Sequence, residues 1–231
     1  MKRFYDKVTV VALNSGYTVQ LDGRSIKTPA RQDFVVPTQA LAMACAEEWE
    51  AQGVKLDPLT MPFTGLSNAA LDRVTNDRAA IAATIAAYGE SDMLCFRGEV
   101  DEPLTARQAE QWDPLLAWAR GRFDVSFTIV HGIIHKAQPD ETVARLGAAV
   151  STYGAFEMAA MSKLVSLSGS LVATLAMMEN ADCASDLWPV INLEELWQVE
   201  LWGEDHFAKE ARDLKHAEFG VLLDYLAMLR A

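Results

Sequence analysis

The stretch "KVTVVALNSGYTVQLDGRSIKT", residues 7–28, decides the fold class of the amino end of the chain. β-Branched and apolar residues fill positions 8–13, and positions 17–21 alternate apolar and polar side chains with the period of a strand. The turn "NSG" separates these two runs, and Asp22-Gly23 before "RSIKT" is a two-residue hairpin signal. "DFVVP", residues 33–37, is a fourth strand candidate that ends at a proline. The sequence therefore begins with a predicted β-rich module.

The hydrophobic period changes to that of a helix at Thr38, which is a suitable N-cap for a helix that ends before Gly53. Residues 55–65 hold two prolines and a glycine and are predicted to be a connection. Helical patterns then cover 67–88, 105–120, 140–153, 155–178, 181–187 and 192 to the C-terminus, interrupted by strand-like "MLCFR" and "FDVSFTIVHGIIH". We predict an α+β protein with a small β-rich N-terminal domain, residues 1–62, followed by a larger all-helical C-terminal domain, residues 63–231.

The charge of the chain excludes several classes of partner. Its 231 residues carry 20 Lys/Arg and 32 Asp/Glu, a net charge of −12, and the first 37 residues alone carry +3. An acidic excess on this scale argues against binding to nucleic acid or to anionic membranes. The most apolar stretch, residues 164–178, contains three serines and a glycine and is shorter than a membrane span. With no secretory h-region after Met1, the sequence predicts a soluble protein without membrane insertion.

The cysteines and histidines give no strong catalytic or metal-binding signal. Three cysteines without CxxC spacing predict reduced, mostly buried thiols. His131 and His135 are four residues apart, but their surroundings favour a strand and the HExxH pattern is absent. Neither a phosphate-binding glycine loop nor a GxSxG elbow occurs. We expect no metal, no cofactor and no enzymatic activity; the alternative is a small hydrolase or metal-dependent enzyme using His131, His135 or Ser91.

One glutamate stands out in "NLEELWQVELWGEDHF", residues 192–207. At about 100° per residue, Leu193, Trp197 and Leu201 form one apolar stripe, and Glu200 falls inside it, about 60° from Trp197. Because an unpartnered buried carboxylate is costly, Glu200 is expected to be ion-paired within the chain, protonated, or exposed for a partner, unless the apolar stripe simply ends early.

The end of the same helix raises a second question. Trp202 falls with Glu195 on the opposite side, where a large aromatic ring is easier to explain if something covers it. Gly203 is predicted to end or bend the helix before the pattern resumes. These features suit a binding surface, and they suit a rigid structural corner equally well.

Several blocks of the chain resemble a known family. They are "LDGRSIKTPAR" (21–31), "YGESDMLCFR" (88–97), "WDPLLAWA" (112–119), "LSGSL" (167–171) and "WGED" (202–205), in the family's order. On these blocks the chain is similar to the ATP synthase F1 assembly chaperones that act on the α subunit of the catalytic head, of the mitochondrial F1 complex assembly factor 2 type. The resemblance spans nearly the whole chain.

The resemblance implies a function as well as a fold. Members are two-domain proteins, not enzymes, and hold the newly made α subunit until it pairs with β. The family's essential acidic residue lies in the helical domain, and the match of "WQVELWGED" carries it to Glu200, with Glu195 the second choice. A monomer without cofactor is expected, in the cytoplasm of a bacterium because the fold begins almost at Met1, or in the mitochondrial matrix for a processed eukaryotic member. The expected partner-binding residues are Glu195, Trp197, Gln198, Glu200, Trp202 and Gly203.

Overall fold

An antiparallel sheet opens the chain in the computed structural model, which describes residues 2–134, 136–184 and 186–231. Strand β1, Val8–Leu13, pairs with β2, Gly16–Leu21, and β2 pairs with β3, Arg24–Ser25, across the Asp22-Gly23 turn. Gly16 has φ of 142°, and a Cβ there would meet the carbonyl oxygen of Val36 at 2.4 Å. The hairpins predicted from the sequence are therefore confirmed.

The prediction of a fourth strand at residues 33–37 is wrong. Val36 forms only an isolated bridge to Tyr17, with reciprocal N–H to carbonyl hydrogen bonds of 2.9 Å. Phe34 and Val36 are buried, so the apolar residues of this segment serve the core without extending the sheet.

The helices begin and end as follows. The first five α-helices are α1 (Gln39–Glu50), α2 (Pro62–Ala69), α3 (Arg78–Ala86), α4 (Pro103–Phe123) and α5 (Asp140–Ser151). They are followed by α6 (Ala155–Ser168), α7 (Leu171–Met178), α8 (Trp188–Ile191), α9 (Leu193–Trp202) and α10 (His206–Arg230). A π-helical turn covers Ala70–Val74, and 3₁₀ turns cover Pro58–Thr60, Ala87–Ser91, Met93–Cys95 and Asp182–Ala184. Two short strands, β4 (Phe96–Arg97) and β5 (Val130–His131), pair in parallel.

Local hydrogen bonds explain where the helices differ from the prediction. Helix α1 has the predicted cap, since Thr38 Oγ1 accepts from Leu41 N at 3.2 Å. Helix α2 occupies part of the predicted connection because the buried Glu48 carboxylate accepts from the N–H groups of Phe63 and Thr64, at 2.6 and 2.8 Å. An acceptor from a neighbouring helix thus satisfies donors that the local sequence leaves free.

Three other predicted helices are broken or shortened. The 67–88 helix is interrupted after the π-helical turn, where Asn76 Nδ2 donates to the carbonyl of Asp72 at 2.7 Å. The 155–178 helix is split at Gly169, whose φ is 64°, and Ser170 caps α7 by accepting from Ala173 N at 2.9 Å. The 181–187 helix is reduced to a single 3₁₀ turn within the described residues.

The chain forms two compact units. One comprises Met1–Arg78, Gly154–Ala160 and Val221–Ala231, and the other comprises Ala79–Tyr153 and Met161–Gly220. In the first, α1 packs on the sheet and on α2, and Thr38 Oγ1 donates to the carbonyl of Met228 at 2.7 Å. In the second, α4 packs against α7, which is buried along its whole length. The domain boundary at 62/63 stays a prediction.

Each compact unit buries ionisable side chains in its core. Asp92 is fully buried, and burial raises the pKa of its carboxyl to about 6 although it accepts hydrogen bonds from Leu94 N at 3.1 Å and Val172 N at 2.9 Å. Asp92 therefore caps the 3₁₀ turn Met93–Cys95 and contributes an acceptor to the start of α7. The Cys45 and Cys95 thiols are buried, as predicted, and burial raises the pKa of each to about 12.

Candidate functional site

The predicted break in the last helical stretch is confirmed. Helix α9 ends at Trp202, Gly203 follows with φ of 83° and ψ of 171°, and α10 begins at His206. Asp205 caps α10 because its Oδ1 accepts from Ala208 N at 2.9 Å. We call residues 200–207 the corner. All eight of them are exposed.

Glu200 is ion-paired within the chain, one of the three outcomes left open by the sequence. Both of its carboxylate oxygens accept from Arg107 Nη1 at 2.7 Å, and the Arg107 guanidinium lies 4.7 Å from the ring centroid of Trp197. The Glu200 side chain remains 54% exposed and that of Arg107 36%. The pair therefore lies at the surface, where water and a partner protein can both reach the carboxylate.

The apolar stripe predicted for α9 ends early, before the last turn of the helix. Leu193 is buried at 3% exposure, but Leu201 is 55% exposed; Trp202, on the opposite side of the helix, is 77% exposed. On α10, Phe207 and Leu214 are 77% and 69% exposed, and they lie two turns apart on one face. The corner thus carries large apolar side chains in contact with solvent, which is unusual when they are grouped.

Helix α4 holds the start of α9 in place. Gln108 is fully buried; its Nε2 donates to Glu194 Oε1 at 2.7 Å, and its Oε1 accepts from Gly98 N at 2.9 Å. Four residues further along α4, Trp112 Nε1 donates to the carbonyl of Val190 at 2.9 Å. Buried polar groups with all partners in place specify one arrangement, so α9 has a fixed position against α4.

Arg212 ties the two sides of the corner together. Its side chain is only 9% exposed, its Nη1 donates to Glu195 Oε1 at 3.1 Å, and its Nη2 pairs with Glu204. Glu195 on α9 therefore serves the internal structure of the corner, whereas Gln198 is exposed. A Cβ on Gly203 would meet nothing within 4 Å, so lack of space does not require glycine at this position. The positive φ of Gly203 does, because other residues rarely adopt it.

Three residues of the site, Arg107, Gln108 and Arg212, were not predicted from the sequence. Arg107 and Gln108 stand 93 and 86 residues before their carboxylate partners, and no local pattern pairs residues at that separation. The only available signal was position: they lie five and four residues before Trp112, the start of the "WDPLLAWA" block that carries the family resemblance. For Arg212, the signal was an arginine on the helix that follows an acidic turn.

The alternative catalytic residues do not form a site within the described part of the chain. His131 Nδ1 lies 3.1 Å from the carbonyl oxygen of Gly98, Ser91 is exposed at the end of a 3₁₀ turn, and His135 lies outside the described residues. Among residues 2–134, 136–184 and 186–231, no three His, Cys, Asp or Glu side chains are grouped as metal ligands would be. Within the same ranges, no helix combines the length and the hydropathy that crossing a membrane requires.

Known proteins resemble this chain over nearly its whole length. The family model described as ATP12 chaperone protein matches residues 2–120. Atp12 from Paracoccus denitrificans is 34% identical with a TM-score of 0.89, covering 99% of this chain and 97% of that one. A crystal structure from Agrobacterium tumefaciens is 36% identical with a TM-score of 0.91, covering 99% of this chain and 86% of that one. The mitochondrial protein atp12 of Schizosaccharomyces pombe is 24% identical over 229 residues, 93% of this chain and 79% of its own length.

Proposed function

The chain belongs to the ATP12 chaperone family, and on that premise we propose that it binds the unassembled α subunit of the F1 sector of ATP synthase. It prevents aggregation of α and delivers it for assembly with β. The observation that carries this proposal is the corner, which exposes aromatic and aliphatic side chains beside carboxylates on a chaperone-family fold.

The chemistry of the corner suits temporary capping of a subunit. A free α subunit exposes the surfaces that later bury against β, and a capping protein must cover them and then leave. Interfaces of this kind combine aromatic anchors with a polar rim, whereas permanent interfaces are larger and more apolar. Trp202 supplies an anchor of the residue type that most often dominates binding energy.

The proposed contact residues have different tasks. Trp202 and Gln198, both exposed, contact α directly, and Glu200 accepts from a basic group of α. Trp197 and Glu195 are partly buried; Trp197 lies against Arg107, and Glu195 positions the corner through Arg212. Gly203 supplies the backbone turn that presents Trp202.

Light scattering of α diluted from denaturant tests the proposal. Equimolar wild-type protein, without nucleotide, is expected to suppress the scattering, and Trp202→Ala is expected to suppress it much less. Leu59→Ala is the matched control, since Leu59 is 92% exposed and belongs to the other compact unit. Loss of an interface tryptophan costs about 2–4 kcal/mol, or roughly 30- to 1000-fold in affinity. No suppression by the wild type overturns the function, and full suppression by Trp202→Ala moves the site away from the corner.

We also propose that the protein acts as a monomer in a bacterial cytoplasm without a cofactor. The bacterial location is supported by the higher identity to the two bacterial structures, 34% and 36%, than to the yeast mitochondrial relative, 24%. The corner binds without any chemical step, so the proposed activity needs no catalytic group.

A further inference from the structure

Two loops outside the corner also expose large aliphatic side chains. Val100, between β4 and α4, is 63% exposed; Ile133 and Ile134, after β5, are 100% and 74% exposed. We call residues 98–102 and 131–134 the loop pair. Isolated exposed aliphatic residues are common on protein surfaces, but three on two adjoining loops form a feature that needs an explanation.

The two loops are held against each other. Strands β4 and β5 pair in parallel, Gly132 N donates to the carbonyl of Arg97 at 3.1 Å, and His131 Nδ1 lies 3.1 Å from the carbonyl oxygen of Gly98. Glu99 lies so close to Gly132 that a Cβ on this glycine would meet its Oε1 at 2.7 Å. The exposed aliphatic side chains therefore project from one joined element.

The first loop is also fixed to the start of α4. Thr105 Oγ1 donates to the carbonyl of Glu99 at 2.7 Å, and Asp101 adopts a left-handed conformation with φ of 70°. A surface whose backbone is already ordered loses little conformational entropy when it binds.

Consecutive residues of α4 connect the loop pair to the corner. Gln108 bonds Gly98 of the loop pair and Glu194 of α9, while Arg107 bonds Glu200 of the corner. Only one helical segment thus separates the two exposed apolar areas. Adjacent residues of α4 thus contact the Glu200 carboxylate and the backbone of the loop pair.

The charge of the loop pair indicates the chemistry of its ligand. The first loop exposes three carboxylates, Glu99, Asp101 and Glu102, whereas one exposed lysine, Lys136, follows the second loop by two residues, so negative charge predominates around the loop pair. A second copy of this chain would bring the same carboxylates together, and an anionic membrane would repel them. An apolar segment carrying lysine or arginine matches both the aliphatic side chains and the charge.

We propose that the loop pair is a second contact surface for the same protein partner, binding an apolar segment of α that carries basic side chains. This inference rests on the proposed function and extends the interface beyond the corner. Binding at two joined surfaces gives affinity without a single large apolar patch on the free protein.

The test measures the chaperone concentration that halves α aggregation. The double substitution Ile133→Ser/Ile134→Ser is compared with Val54→Ser/Leu59→Ser, whose targets are 78% and 92% exposed in the other compact unit. We expect the loop-pair variant to raise this concentration about tenfold and the control to change it less than about twofold. Glu102→Lys is expected to raise it as well, most strongly at low salt, against Glu47→Lys as the charge-matched control.

Each result has a distinct meaning. Unchanged suppression by Ile133→Ser/Ile134→Ser, with suppression lost in Trp202→Ala, overturns the second surface and leaves the proposed function standing. Failure of the wild type to suppress aggregation overturns the proposed function itself. The inference is also overturned if the wild type self-associates in sedimentation, or floats with phosphatidylserine vesicles, and the loop-pair variant does not. The loop pair would then bind another copy of this chain, or a membrane, in place of α.

Discussion

Exchanging the two charges of the Arg107–Glu200 pair separates an internal role of Glu200 from a role in binding. In Glu200→Lys, the 2.7 Å contact is lost and two cations face each other beside Trp197. Because the two side chains are 36% and 54% exposed, water screens the pair, and its contribution is about 0.2–1 kcal/mol. The repulsion adds a similar amount, so we expect a loss of about 1 kcal/mol, or roughly 2–4 °C in Tm for a chain of this size.

The double variant Arg107→Glu/Glu200→Arg restores an ion pair of opposite polarity at the same place. Its unfolding free energy, followed by tryptophan fluorescence in urea, is expected to return to within about 0.5 kcal/mol of the wild type. Its suppression of α aggregation is expected to stay as low as that of Glu200→Lys. The reason is that a basic group on α would then meet a guanidinium on α9 where it needs a carboxylate.

Arg107→Gln serves as the matched control. It removes the internal cation and leaves the Glu200 carboxylate free, so capture of α should persist or become tighter while stability falls by less than about 1 kcal/mol. If the double variant regained full capture of α together with its stability, Glu200 would act only by holding α9 to α4. The direct contact with α would then be refuted, even though the corner could still be the binding site.

Three further predictions concern the stability and reactivity of the free protein. Burial raises the pKa of Asp92 to about 6 from an ordinary 3.8, so its ionisation should lower the unfolding free energy by up to about 3 kcal/mol as pH rises through that window. Asp92→Asn should remove this pH dependence in urea titrations at about pH 4, 5 and 6.5, and an unchanged dependence would contradict the prediction. Arg212→Gln should lower the unfolding free energy by about 1–3 kcal/mol, because it removes both charged contacts of a buried guanidinium, and it should increase amide hydrogen exchange at residues 200–207. Unchanged exchange would show that other contacts hold the corner. At about pH 8 a thiol reagent should label Cys183 first in the native protein, since the other two thiols are fully buried; simultaneous labelling of all three would refute this.

The elements that local sequence determines were predicted well. The β1–β2–β3 hairpins follow from alternation and the Asp22-Gly23 turn, the cap of α1 from Thr38, and the end of α9 from Gly203. Each of these features depends on residues within a few positions of one another. Where a distant side chain supplies the hydrogen bond, as Glu48 does for α2, the sequence predicted a connection in place of a helix.

The site was predicted only in part, for the same physical reason. The unusual position of Glu200, inside an apolar stripe, was visible in the pattern of α9. Its partner, Arg107, lies on α4, 93 residues earlier in the chain, and could not be predicted. The helical wheel also assumed that an apolar stripe is a buried stripe. Leu201, in the last turn of α9, is nevertheless 55% exposed, and helix ends are the least certain part of a pattern.

The exposed side chains of the corner rest on buried polar contacts, and this arrangement bears on how a chaperone can bind reversibly. Gln108 and Arg212 are buried and satisfied by carboxylates of α9 and of the turn after it, so the corner is already ordered in the free protein. A preformed surface loses little entropy on binding and can therefore achieve useful affinity with a modest apolar area. A modest area, in turn, allows a competing subunit with a larger interface to displace the chaperone. Loosening the corner at Arg212 should accordingly weaken capture of α more than the loss of global stability alone would explain.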